Sequence, residues 1–271
     1  MIFHFVNKGG KMPSRKDKSE VGDFINIKNY NMALEKWADI ELHCRYLLPF
    51  LAIHEAARSK FKDKNKIWFW DEDNAIEKCL PILGRVINEW KAYRAREGWS
   101  ENKEKNVYKK TENYVKELTK IFNKYNITSL YDIVNIKSDE KSDEIRNYIT
   151  DCIISFVSKI SEVKVKKGRG AVSATLGAKT LHHFFPSIIP VYDDAMINKK
   201  AKQKSYDKYL NNCIDEVKRS KNLKKVRCKI AKDYIRTGLV PFNLIKNKRS
   251  ILYRLDAKLA EYCLIGHFYR K

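Results

Sequence analysis

No stretch of this chain approaches the roughly 18–20 consecutive apolar residues that a bilayer-crossing helix needs, so a membrane-spanning helix is excluded. Strand-like alternation is almost absent, with Val163–Val165 the only hint, which argues against a β or α/β fold. No internal repeat stands out, which excludes a solenoid. The six cysteines (Cys44, Cys79, Cys152, Cys213, Cys228, Cys263) never form C-x-x-C and mostly sit among apolar neighbours, as buried thiols do. No zinc or iron–sulfur ligand set is visible, and no metal or other cofactor is expected. His54-Glu55 lacks the second histidine of H-E-x-x-H, so it is no zinc-hydrolase motif. Met1–Val6 is too short for a signal peptide, and a reducing setting, cytoplasmic or nucleoid, is the expectation.

Acidic residues are also scarce. Against 33 of them stand 55 lysines and arginines, a net charge of +22. A charge of that size opposes compaction and speeds encounter with polyanions, of which nucleic acid is the commonest. An AT-biased genome would also enrich lysine, but it would do so evenly. From Ala195 to Lys271 there are 21 basic and 6 acidic residues, an excess of 15 out of the total of 22. That asymmetry favours a binding face. At 44% hydrophobic and 12% aromatic the chain can still bury a core, so it is not a disordered basic tail.

Helical periodicity dominates the 271 residues. Residues 1–22, rich in Lys, Gly, Ser and Asp, read as a flexible basic arm, and residues 23–271 as one helical domain of two lobes. Apolar spacing predicts a helix over Tyr30–Phe61, bent or split at Pro49, and a second from about Asp73 towards Arg96, interrupted at Pro81 and stopped by Gly98. Ser100–Asn106 reads as a charged loop, followed by helices over Val107–Lys124, from Ser129, and over Ser142–Ile160. After Ala195 come about three basic helices, broken at Gly238–Pro241, the last over Ile251–His267. The class is all-α.

The stretch 166–196, KKGRGAVSATLGAKTLHHFFPSIIPVYDDAM, carries the most chemistry. Gly168-Arg169-Gly170 predicts a tight hairpin before a helix from about Ala171. Its free backbone N–H groups and the helix dipole could hold a phosphate, or the hairpin could be an ordinary helix-helix turn. Pro186 and Pro190 then end the helix and place Asp193 and Asp194 at the start of the next, where aspartates also serve as caps. His182 and His183 are adjacent and so point to different faces, at least one of them structural or facing solvent.

In these residues the chain resembles the helix-hairpin-helix DNA glycosylase superfamily, whose pattern is Leu-Pro-Gly-x-Gly, Thr-Ala, a helix, Pro-x-x-x-Pro and a catalytic Asp. Gly168 and Gly170 fall on the glycines, Ser173-Ala174 on Thr-Ala, Pro186 and Pro190 on the prolines, and Asp193 on the catalytic Asp. The likeness covers about 30 residues, and Lys166-Lys167 replace Leu-Pro. It implies a two-lobed all-α fold with the helix-hairpin-helix near residues 143–185 and a DNA-binding N-glycosylase activity. Val172 stands where lyase-competent members carry a Schiff-base lysine, which implies hydrolysis by water alone; Lys179 lies too far along the helix to replace it by alignment.

That chemistry suits the residues. Cleaving an N-glycosidic bond builds positive charge on the sugar, which a lone carboxylate, Asp193, would stabilise while orienting water. Lys167, Gly168, Arg169, Gly170, Ser173 and Lys179 are the candidate contacts to the duplex backbone. The flipped base needs aromatic faces, for which Trp68, Phe69, Trp70 and Tyr192 are candidates, although such a cluster also serves as core. The run Lys218–Lys229 carries no interleaved aromatics, so it suits duplex backbone contact or a solvated face. Two other readings remain: a helix-hairpin-helix DNA-binding protein without chemistry, and a helical interaction protein that meets RNA or an acidic partner.

Overall fold

The computed structural model describes residues 24–61, 66–89, 101–136, 141–162, 174–239 and 254–270. Among these the chain is all-α, without a strand. The Gly168–Gly170 hairpin, with Lys167, Val172 and Ser173, lies outside the described residues, as do the arm over 1–22, the stop at Gly98 and Pro241.

The first predicted helix is two. Helix α1 (Ile27–Lys36) is capped by Asn26, whose side chain accepts from Asn29 N, and α2 (Ile40–Lys60) by Asp39, which accepts from Leu42 N at 2.9 Å. The chain turns at Trp37–Asp39 between them, while Pro49 stays inside α2. Helix α3 (Ala75–Glu89) likewise keeps Pro81 inside. Asp73, expected to cap it, adopts φ 51° and holds Lys60 and Lys78 at 2.9 and 2.7 Å. Helix α4 (Glu101–Lys124) takes in the segment read as a charged loop: Glu101 and Glu104 favour the positive end of the helix dipole, and Lys105 pairs with Glu101 one turn on.

Short α5 (Leu130–Val134) leads to α6 (Ser142–Ser161), then α7 (Thr175–Phe184). A π-helix (Asp194–Lys200), α8 (Tyr206–Arg219), α9 (Leu223–Arg236) and α10 (Asp256–Tyr269) complete the order. Every residue of α7 is buried, and so is α10 from Asp256 to Gly266. These two form the centre around which the amphipathic helices pack.

Two glycines permit the closest approaches. A Cβ on Gly177 of α7 would meet the Val157 carbonyl oxygen of α6 at 2.0 Å; one on Gly266 of α10 would meet that of Asn29 in α1 at 1.7 Å. Both neighbours are backbone, so neither can step aside. We therefore expect Gly266→Ala to lower unfolding free energy by at least about 2 kcal/mol through overpacking. Gly238→Ala, at a position with φ 70° and no atom within 4 Å, should lose only about 1–2 kcal/mol to backbone strain. Urea titrations of the two variants check the order.

Candidate active site

The turn between α1 and α2, the start of α2, the segment after α7, and α10 converge on a cavity of about 290 Å³. Trp37, Asp39, Leu42 and His43 form one wall. Lys179 of α7 and Val191 and Asp193 beyond it form a second, Lys258, Glu261 and Tyr262 of α10 a third, and Glu89 reaches it from α3.

Asp193 does two things here. Its Oδ1 accepts from Met196 N at 3.1 Å and its carbonyl accepts from Ile197 N at 2.8 Å, so it caps the π-helix. Its Oδ2 accepts from Lys179 Nζ at 3.2 Å, and the side chain keeps 22% of its surface exposed, facing the cavity. Along the chain Lys179 is 14 residues from Asp193; in space the two form an ion pair.

A second pair lies beside the first. Lys258 Nζ donates to both carboxylate oxygens of Glu261, at 3.1 and 3.0 Å, and sits 4.8 Å from the Tyr262 ring centre. Burial pushes the Lys258 amine below its usual pKa, against the pull of Glu261, and pushes the Glu261 carboxyl above its own. Trp37 meets Tyr262 edge-on at 6.3 Å and is 36% exposed, so an aromatic face stands at the cavity mouth.

Behind His43 runs a hydrogen-bond chain whose direction is fixed by its ends. The Ile189 carbonyl can only accept, so His182 Nδ1, 2.6 Å away, carries a proton and donates. In a neutral ring His182 Nε2 is then the acceptor, so His43 Nε2, 3.0 Å from it, is the donor. His43 Nδ1 in turn accepts from the Tyr234 hydroxyl of α9. Burial, followed by the charge of Lys258, holds His43 and His182 well below the usual imidazole pKa, which keeps both neutral. His183 donates from Nδ1 to the Lys179 carbonyl at 2.7 Å, and burial brings its pKa down to about 4. Both of the adjacent histidines are buried, so neither faces solvent.

The proposed base-stacking aromatics lie elsewhere. Trp68 and Trp70 are buried in the core, their indole N–H groups donating to the Ile127 and Phe184 carbonyls at 2.7 and 2.9 Å. Phe69 is buried beside them, and its N–H donates to His54 Nε2 at 3.2 Å. Tyr192 is buried too, donating to the Gln203 carbonyl at 2.6 Å and packing on Tyr206 and Tyr209. None of the four lines the cavity, and a side chain fully enclosed by protein has no face to offer a base. The structure thus brings together Asp193 and Lys179, and adds Trp37, Tyr262, His43, Lys258 and Glu261. Lys258 and Glu261 had a signal in the sequence: opposite charges three apart inside an otherwise apolar helical run.

Among the described residues no group of three or more His, Cys, Asp or Glu side chains could hold a metal ion, and no helix is long and apolar enough to cross a membrane. No family model, curated protein or solved structure matches this chain.

The buried imidazoles make stability depend on pH. Folded, they stay neutral; unfolded, each takes up a proton below about pH 6.5, so stability is full above that value and falls as pH drops. His183 loses its share down to about pH 4. With His43 and His182 acting likewise, each histidine removes about 1.4 kcal/mol between pH 7.5 and 5.5, so unfolding free energy should fall by roughly 4 kcal/mol over that interval. Urea titrations at pH 7.5 and 5.5 measure this, and ring ¹⁵N shifts read the tautomers: His43 protonated on Nε2, His182 on Nδ1. A flat profile would mean that the rings are hydrated or already charged.

Proposed function

We propose that the chain is a DNA N-glycosylase that excises a damaged or modified base from duplex DNA. One observation carries this reading: the Asp193 carboxylate, held by Lys179 and by its own cap, opens onto a cavity that exposed Trp37 also lines, instead of packing against protein. The volume, about 290 Å³, is at the small end of ligand sites.

In this scheme the flipped nucleotide enters beside Trp37, with its sugar at Asp193. As the bond to the base breaks, positive charge grows on the sugar, and the adjacent carboxylate lowers the energy of that state. Water then adds to the sugar carbon, and its proton leaves with the base. The scheme uses no cofactor. Lys167, Gly168, Arg169, Gly170 and Ser173 would hold phosphate at the hairpin. Consistent with a hairpin between packed helices, α6 and α7 meet at Gly177, where only a glycine fits. Lys179, first read as a backbone contact, belongs in this account to the carboxylate.

A second reading rests on the same ion pair. The Lys179 amine, 3.2 Å from Asp193, would add to the sugar carbon as the bond to the base breaks, one amine proton passing through Asp193 to the departing base and the sugar ring then opening to an imine. Sodium borohydride would reduce that imine to a stable protein–DNA link, absent in Lys179→Gln.

The main test incubates the protein with duplexes that carry alkylated, deaminated, oxidised or hypermodified bases and measures free base by mass spectrometry. Release from one class, reduced at least about 100-fold by Asp193→Asn, is the expected result. Duplex binding with no release from any substrate would leave a DNA-binding protein without chemistry. Affinity insensitive to salt would exclude a DNA partner altogether.

A further inference from the structure

The cations near the C-terminus are arranged in space as well as in sequence. On α9 the residues Leu223, Val226, Ile230 and Tyr234 face inward, at helical spacing. Outward go Lys224, Lys225, Lys232 and Arg236, all exposed; the end of α8 adds exposed Lys218 and the turn after it Lys221. Among the described residues no carboxylate pairs with Lys224, Lys225 or Lys232, while Asp233 engages Lys229 and Arg236. Lys224 to Arg236 spans about 18 Å at 1.5 Å per residue, roughly half a turn of B-DNA.

Two features say which polyanion fits. Among the described residues the exposed large apolar side chains are Trp37, Leu42, Phe61, Tyr131 and Tyr148; none lies on α8 or α9, and Tyr131 has its ring against Arg227 of α9. Without aromatics to stack bases, single strands gain little there; without an apolar wedge, a lipid surface receives nothing to insert. A regular row of phosphates needs neither.

The position of the row matters as much as its charge. Tyr234, on the inner side of α9, donates to His43, which lines the Asp193 cavity, and Thr237 just beyond the helix touches Cys44 of α2. The helix bearing the cations is therefore packed directly on a wall of the cavity.

We propose that the outward face of α9 with the α8–α9 turn is a docking surface for the backbone of duplex DNA, laying the duplex across the molecule beside the Asp193 cavity. The inference adds to the proposed function a partner surface separate from the hairpin, and it rests on that reading only for what the cavity does once the duplex has docked.

Its test is the salt dependence of binding to a fluorescent 20-base-pair duplex from about 50 to 200 mM salt. Each phosphate contact contributes about 0.9 to the slope of log affinity against log salt. The triple variant Lys224→Gln, Lys225→Gln, Lys232→Gln should lower the slope by about 2–3 and weaken binding at every concentration. A control with the same charge loss on α4 (Lys105→Gln, Lys109→Gln, Lys120→Gln) should change it by less than about half a contact. All six positions carry partly or fully solvent-facing side chains, and circular dichroism confirms that both variants fold. Equal slopes for the two variants, an unchanged slope in the α9 variant, or tighter binding to anionic vesicles or a polyglutamate peptide than to the duplex would each overturn the proposal. Docking and base release separate cleanly: an α9-dependent slope without release from any lesion supports this surface and counts against the glycosylase, while Asp193-dependent release with an unchanged slope does the reverse.

Discussion

A helix enclosed on every side cannot leave a charge to water, and here two such helices carry charges. Lys179 sits on α7, and Lys258 and Glu261 on α10, in segments whose every neighbouring position is buried. An unpaired ion in that setting would be several kcal/mol out of balance, so each must meet its opposite inside the protein. Lys258 finds Glu261 on its own helix; Lys179 has no acid on α7 and takes Asp193 from the segment beyond. That requirement draws the chain after α7 back against it and leaves Asp193 beside a cavity.

The same logic governs the imidazoles. Each ring on α7 has a backbone carbonyl as its fixed acceptor: Ile189 for His182 and Lys179 for His183. Ile189 precedes Asp193 by four residues, so the bond from His182 ties down the segment that presents the carboxylate. Through His43 and Tyr234 the restraint extends to α9. One continuous polar network thus joins the central helix, the wall of the cavity and the inner side of α9, all with neutral rings.

Much of the fold is legible in the sequence because amphipathic helices announce themselves. Ser142–Ile160 was read within one residue of α6, and the buried face of α9 follows its apolar spacing. The misreadings have physical causes. Ser100–Asn106 is too polar to show a period, yet alternating Glu and Lys support a helix through their own pairs and the dipole. Pro49 and Pro81 read as bends or breaks, yet packing along the rest of each helix retains them. In the site, Asp193 stands out because prolines punctuate the chain before it, whereas Trp37 owes its place to a turn within what reads as one helix. Trp68 and Trp70 attracted notice as aromatics, and their burial follows from the same apolar bulk.

Of the six cysteines Cys228 is the exposed one, with Cys152 half-buried and the rest buried, and it sits on α9 with Lys224 and Lys232 one turn to either side. Thiol exchange depends on access, so this is the atom that oxidants and thiol-directed labels reach first. Covalent pairing of two chains through it would press two rows of ammonium groups together within a Debye length of about 8 Å at physiological salt. Like charge thus guards this exposed thiol against its own counterpart, and a polyanion threaded between two molecules would lift that guard.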